Sequence, residues 1–173
     1  THVLNSDDII WNVRAYVDLI VYSLEHKASY LLSSIVYFRR PSLTPRSCWL
    51  VEPLPPSRAD WKIALKRGLH YPHPGFIART DLYKKPGFDL KFNLSADYKL
   101  MQSLLIASHS DDVIYTCKEP IVAMAEGGVT GHWQSIISGY WQLRVINRQL
   151  GIKAPAWRRY SKKLFRRYWP ADL

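Results

Sequence analysis

Tyr30 to Phe38 is an apolar run rich in aromatic and β-branched side chains, with polar residues at either end, and it reads as a buried strand. A buried strand must be covered, and the flanking sequence supplies the cover. Ahead of it, apolar residues recur at Val13, Tyr16, Val17, Ile20, Val21 and Leu24, the stripe of an amphipathic helix that ordinarily faces a core. Thr1 to Leu4 is short and β-prone and reads as the end of another strand. Behind it, Pro41, Pro45, Pro53, Pro55 and Pro56 forbid a continuous helix or central strand between Arg39 and Asp60. A long loop is expected there, with at most a short strand at 48–51.

The remainder alternates in the same way. Trp61 to Arg67 reads as a short helix ended by Gly68, and His73 to Arg79 as a strand. Ser95 is placed to cap a helix running to Ala107, with Tyr98, Met101, Leu104 and Leu105 on its apolar face. Residues 113–117 and 121–125 are strand-like, broken at Glu119-Pro120. Trp133, Ile136, Ile137, Tyr140, Trp141 and Arg144 mark a helix ending near Gly151, and Trp157, Tyr160, Leu164, Phe165 and Tyr168 mark a last one. The pattern predicts an α/β fold over residues 1–130, followed by amphipathic helices over 131–173.

Composition narrows the classes. A hydrophobic content of 47% is that of a globular chain, not a disordered one. Two distant cysteines make neither a zinc spacing nor a disulfide framework, so a reducing cytoplasm is the default. No apolar run reaches the roughly 18 residues of a membrane span, so a soluble or peripheral chain is expected. The seven Trp and eleven Tyr serve packing first, and they also make platforms on which sugars stack. The formal charge of +10 attracts polyanions: nucleic acid, anionic lipid or a diphosphate. Nucleic acid ranks below the others, because no nucleic-acid motif is present and the aromatics follow helical spacing.

Three constellations carry chemistry. Leu4-Asn5-Ser6-Asp7-Asp8 puts paired carboxylates after a strand, which suits a hard divalent cation bridging phosphates. Ser95-Ala96-Asp97-Tyr98 puts a carboxylate at a helix start, where the dipole complements a negative charge. Glu126-Gly127-Gly128-Val129-Thr130 is a glycine loop that permits close backbone approach to a ligand. Each has an ordinary explanation when read alone: dipole matching, capping, and a plain turn. Asp111-Asp112 repeats the paired acids but lies between a helix and a strand and reads as a solvated turn. His70 and His73 are too scattered for a metal pair, and His132 follows the glycine loop within reach of a diphosphate.

Order raises all three. Leu4 to Asp8, Pro72-His73 leading to Phe76-Ile77-Ala78-Arg79, Gly87-Phe88-Asp89, Ala96-Asp97-Tyr98 and Gly127-Gly128-Val129-Thr130 follow one another along residues 1–130. The series resembles bacterial family 2 glycosyltransferases of the GT-A type, whose most similar members build exopolysaccharide or related surface glycans. The resemblance implies the metal-motif to catalytic-base half of a Rossmann-like GT-A fold. It implies Asp97 as catalytic base, and Asp7 and Asp8 as ligands of Mn²⁺ or Mg²⁺. Asn5, Ser6, Gly127, Gly128, Thr130 and His132 would face the nucleoside-diphosphate sugar, and His73, Arg79 and Tyr98 the acceptor. Asn5 departs from the family, which often has Asp there. Thr1 falls almost on the first motif, so an N-terminal nucleotide-binding half is expected to be missing or supplied by another chain.

The tail adds a location. Trp157, Tyr160, Leu164, Phe165 and Tyr168 share one helical face, and Arg158, Arg159, Lys162, Lys163, Arg166 and Arg167 fill the rest. A basic helix with an aromatic stripe is the pattern of a membrane-interface segment, although such a stripe can also pack on the domain. With a glycan or lipid-linked acceptor, this places the protein on the inner face of a bacterial cell membrane. The contrasting reading is a non-catalytic relative that binds a membrane or partner.

Overall fold

The computed structural model describes residues 1–40, 42–55, 57–84, 86–126 and 133–157. Along the chain come β1 (Ile9–Ile10), α1 (Val13–Glu25), β2 (Tyr30–Arg39), β3 (Thr44–Trp49) and α2 (Arg58–Lys66). A 3-10 turn (His73–Gly75), β4 (Phe76–Ala78), α3 (Thr80–Lys84), α4 (Ala96–Ala107), β5 (Ile114–Ala125) and α5 (Trp133–Gln149) follow. These form a mixed α/β fold on an open sheet.

β2 is the organising strand. Along one edge it pairs in parallel with β5, from Tyr30 opposite Ile114 to Phe38 opposite Ala125. Its other edge is shared by two antiparallel strands: β4 from Tyr30 to Leu32, then β3 from Ile35 to Arg39. β1 closes the far side of β5 near its C-terminal end, with Ile9 opposite Ala123. Alternation along β2 divides its side chains between two layers. Tyr30 and Leu32 join Trp61 and Leu65 of α2 and Leu100, Met101, Leu104 and Leu105 of α4. Leu31 and Ile35 join Ala15, Tyr16, Leu19 and Ile20 of α1. Leu32, Phe76 and Leu105 are fully buried, each contributing about 1.5–3 kcal/mol of transfer free energy.

α4 bridges to α5. Tyr98 and Phe92 pack with Leu143 and Ile146 of α5, and Leu94 N–H donates to Gln142 Oε1 at 3.1 Å. The chain after α5 turns at Gly151 and returns to α2, where Lys153 N–H donates to the Lys66 carbonyl at 2.7 Å. Gly68, which ends α2 at φ +102°, is the hinge of that contact: a Cβ there would lie 2.5 Å from Ala154 Cβ.

Several expectations need correcting. The apolar stripe read on α1 does not all face inward: Val13, Val17, Val21 and Leu24 are exposed, while Tyr16 and Ile20 pack on the sheet. α1 is apolar over more than half its circumference, so periodicity alone left its inward direction open. The two strands expected around Glu119-Pro120 are one strand, and the register against β2 slips near Pro120, which has no N–H to donate. The expected 73–79 strand is a 3-10 turn followed by three strand residues, because Pro74 suits a turn start and not a ladder. β3 begins earlier than expected, at Thr44, and tolerates Pro45 on the sheet edge. α2 starts at Arg58 because Ser57 Oγ accepts from the Asp60 N–H. Ser95 makes no such side-chain cap on α4.

Candidate active site at the strand ends

The Asn5–Asp8 segment is a locked turn. Asp8 N–H donates to the Asn5 carbonyl at 3.1 Å, and Asp8 Oδ2 accepts from the Asn5 backbone N–H (2.9 Å) and from Asn5 Nδ2 (3.0 Å). Asn5 therefore holds the acid in place, a task an aspartate side chain could not share without repulsion. The segment before the turn is pinned to β4 and the 3-10 turn. The Ala78 N–H donates to the Thr1 carbonyl at 3.1 Å, and His2 Nε2 donates to the Pro74 carbonyl at 2.8 Å. The segment after it becomes β1, at the C-terminal end of β5. The acid turn thus spans the carboxyl end of the parallel pair, where open α/β sheets bind ligands.

Two groups define the electrostatics. Asp7 pairs with Arg40, at the end of β2, at 3.2 Å. Asp8 Oδ1 is buried with no hydrogen-bond partner among the described residues. Burial, foremost, pushes the Asp8 carboxyl above its usual pKa; the Asn5 N–H groups oppose the shift, and the neighbouring Asp7 charge adds to it. His73, on the 3-10 turn, lies near enough for its charge to act on Asp8 in the lowering direction. His73 Nε2 is likewise buried without a partner among the described residues. Each is an exception to the rule that buried polar groups are satisfied.

Beside the turn is an open depression of about 430 Å³ lined by Ser6, Asp7, Ile9, Phe38, Arg40 and Leu43. Leu43 adopts φ +53°, a left-handed conformation that β- or γ-branched side chains rarely take and that places strain beside the site. β5 ends at the same place, since Glu126 N–H donates to the Phe38 carbonyl at 2.9 Å. Gly127, Gly128, Thr130 and His132 lie outside the described residues.

Asp97 stands in the first turn of α4 and is half-buried. The direction of α4 fixes its end of the sheet. Tyr30 Oη, at the start of β2, donates to the Leu104 carbonyl at 3.3 Å. Tyr98 is reached through His70, whose ring meets Tyr98 at 6.3 Å and Trp49 at 5.1 Å, and Trp49 is paired with Ile35. α4 therefore runs against β2, and Asp97 lies toward the same end as Asp7, Asp8 and Arg40. Among the described aspartates, Asp97 alone has a side chain with no ion pair or hydrogen bond to another described residue; the others are held by Arg, Lys, Asn, Ser or backbone N–H groups.

Other expected residues are placed elsewhere. Arg79 forms a two-bond pair with Asp81 (3.1 and 2.7 Å), and its N–H donates to the Ser29 carbonyl at the start of β2. β4 runs antiparallel to β2, so it carries Arg79 away from the acid turn. Tyr98 is buried, and its hydroxyl donates to Asn147 Oδ1 of α5 at 2.9 Å. Asp112 closes a turn by accepting from the His109 N–H at 2.8 Å. Trp157 is exposed, while Tyr160, Leu164, Phe165 and Tyr168 lie outside the described residues. No helix among the described residues is long and apolar enough to cross a membrane.

Arg40 was not singled out from the sequence. Arg39-Arg40 directly before Pro41, at the end of a buried strand, was the available signal: it puts a cation at a strand's carboxyl end. Ile9, Phe38 and Leu43 meet the acid turn only through the hairpin and β1, and no local pattern announced them. No protein-family model matches the chain, and no curated protein matches it.

Proposed function

We propose that the chain carries the metal-motif and catalytic-base portion of a GT-A, family 2 glycosyltransferase. It moves a sugar from a nucleoside-diphosphate donor onto an acceptor hydroxyl, with inversion, in surface glycan biosynthesis. The observation that carries the reading is the Asp97 carboxylate, unpaired among the described residues, at the same end of the sheet as the Asp7–Asp8 turn. A general base must keep an acceptor oxygen open for the proton it will take, and a carboxylate with no cation held against it keeps its lone pairs for that task.

The roles follow from the chain's own groups. Asp97 takes the proton of the acceptor hydroxyl as that oxygen attacks the anomeric carbon. Arg40, held by Asp7, offers its guanidinium to a phosphate oxygen. Asn5 orients Asp8. Phe38, Ile9 and Leu43 wall the depression with apolar surface, which strengthens electrostatic contacts made there. The donor set fits Mn²⁺ or Mg²⁺: Asp8 Oδ1 is buried without a partner, Asp7 adjoins it, and such cations take much of their coordination from substrate phosphates and water. A bound cation would neutralise charge on the departing diphosphate. The basic, aromatic tail supports an acceptor carried on lipid at the inner face of the bacterial cell membrane.

The test is Asp97→Asn in the full-length protein, which keeps the side chain's shape and removes the base. Turnover is expected to fall on the order of 100- to 10,000-fold with donor binding little changed. Near-normal turnover would sink the assignment of Asp97 as the base, whereas no transfer by the wild-type protein would favour a non-catalytic, membrane- or partner-binding relative.

A further inference from the structure

α5 has two unlike faces. Leu143 and Ile146 are 3% and 0% exposed, and Asn147 is buried against Tyr98. On the opposite side Ile137, Trp141 and Val145 stand 50%, 55% and 45% exposed at four-residue spacing. Arg144 and Arg148 fall on the same stripe, and the Arg144 guanidinium lies 5.4 Å from the Trp141 ring centroid. The surrounding sequence has one sign of charge: from Gly127 to Ala171 there is no Asp or Glu, against nine Lys and Arg.

We infer that the outward face of α5, through Ile137, Trp141, Val145, Arg144 and Arg148, docks on an anionic lipid bilayer. It rests on the reading above, in which the acceptor is carried by a membrane. The choice of partner comes from the pairing of side chains. Arginines without nearby carboxylates call for an anionic surface. Ile137 and Val145 gain nothing from a phosphate backbone and need an apolar phase. Trp prefers the boundary between the two, where its ring is apolar and its N–H is wet. Only a charged lipid interface offers both on one plane, and the stripe lies along one helix face as a monotopic helix requires. The body of the protein is thereby held through a packed helix: α5 is tied to α4 by the Tyr98–Asn147 bond, so docking sets the orientation of the helix whose first turn carries Asp97.

The experiment is co-sedimentation of the full chain with vesicles of phosphatidylcholine containing phosphatidylglycerol, and with phosphatidylcholine alone. The variants are the triple Ile137→Ser, Trp141→Ser, Val145→Ser and the double Arg144→Gln, Arg148→Gln. All five side chains face solvent, and circular dichroism verifies the fold. Wild type should sediment with the anionic vesicles and little with the neutral ones. The arginine pair should weaken that binding on the order of 30-fold, and the apolar triple at least as much. Undiminished binding by the folded triple variant overturns the proposal. So does a wild-type chain that ignores vesicles but binds single-stranded DNA or an acidic peptide. Donor hydrolysis in free solution, read in parallel, should be unchanged in both variants. Loss of vesicle binding with hydrolysis intact, and lack of hydrolysis with vesicle binding intact, are separate results and separate the two readings.

Discussion

Gly75 offers a direct test of how the site is built. It closes the 3-10 turn that carries His73 and Pro74, and it lies against the middle of β2. A Cβ at Gly75 would meet the Ser33 carbonyl oxygen well inside van der Waals contact, with Ser33 Oγ at 2.9 Å and the carbonyl carbon at 3.0 Å. An unstrained carbon–oxygen contact is about 3.3 Å, so Gly75→Ala forces the turn away from the strand. β2 yields little at Ser33, because that residue is fully buried and its strand is paired there with β5. Overpacking costs about 1–3 kcal/mol, and the Ser33 Oγ–H to Gly75 carbonyl bond (3.3 Å) adds about 1 kcal/mol when lost. The sum of about 2–4 kcal/mol should lower Tm by about 4–16 °C for a chain of this size. Gly151→Ala is the control: φ is +65° but nothing lies within 4 Å of its Cβ, so only backbone strain of about 1–2 kcal/mol is expected. Thermal unfolding followed by circular dichroism compares the two. If Gly75→Ala melts within about 2 °C of wild type, or no lower than Gly151→Ala, the steric argument is wrong. Turnover should fall in Gly75→Ala as well, because the displaced turn moves His73 from Asp8 and the Pro74 carbonyl from His2.

Tyr98→Phe leaves Asn147 Oδ1 without its 2.9 Å donor in a buried contact, so a loss of about 1–3 kcal/mol in urea unfolding is expected; a neutral result would show that the α4–α5 contact does not depend on this bond. His2 has its pKa lowered, mainly by burial, with the charge of His73 adding and the Pro74 carbonyl opposing. The folded protein thus binds this proton less well than the unfolded chain: the contribution of His2 is whole above about pH 6.5 and is lost as pH falls through the folded value. Wild type should therefore lose more stability than His2→Gln on going from about pH 7.5 to about pH 5, and parallel curves would refute this. EDTA should abolish sugar transfer with Mn²⁺ or Mg²⁺ restoring it, and Asp7→Asn should weaken nucleoside-diphosphate binding in the presence of the cation; transfer indifferent to EDTA would remove Asp7 and Asp8 as ligands.

Sequence alone determined the elements whose signal is local. Tyr30 to Phe38 reads as a buried strand because seven of its nine residues are aliphatic or aromatic, and Ser95 to Ala107 reads as a helix because its apolar residues recur on one face. It also marked the acid turn and Asp97, whose carboxylates are written in adjacent residues, although of the strand expected at Thr1 to Leu4 only the His2–Ile77 bridge is formed. Tertiary structure decided which way those pieces face. The α1 stripe divided into an inward row and an exposed row because its apolar residues cover two faces and only the sheet selects one. Arg79 went to the wrong end of the sheet for an acceptor site because β4 pairs antiparallel to β2, a choice no residue near Arg79 encodes. Arg40 met Asp7 across more than thirty residues of chain, and Tyr98 turned to Asn147 on α5 and away from the depression. Such contacts depend on long-range pairing. Their free energy is shared among residues far apart in sequence, so local pattern names the parts and the fold alone brings them together.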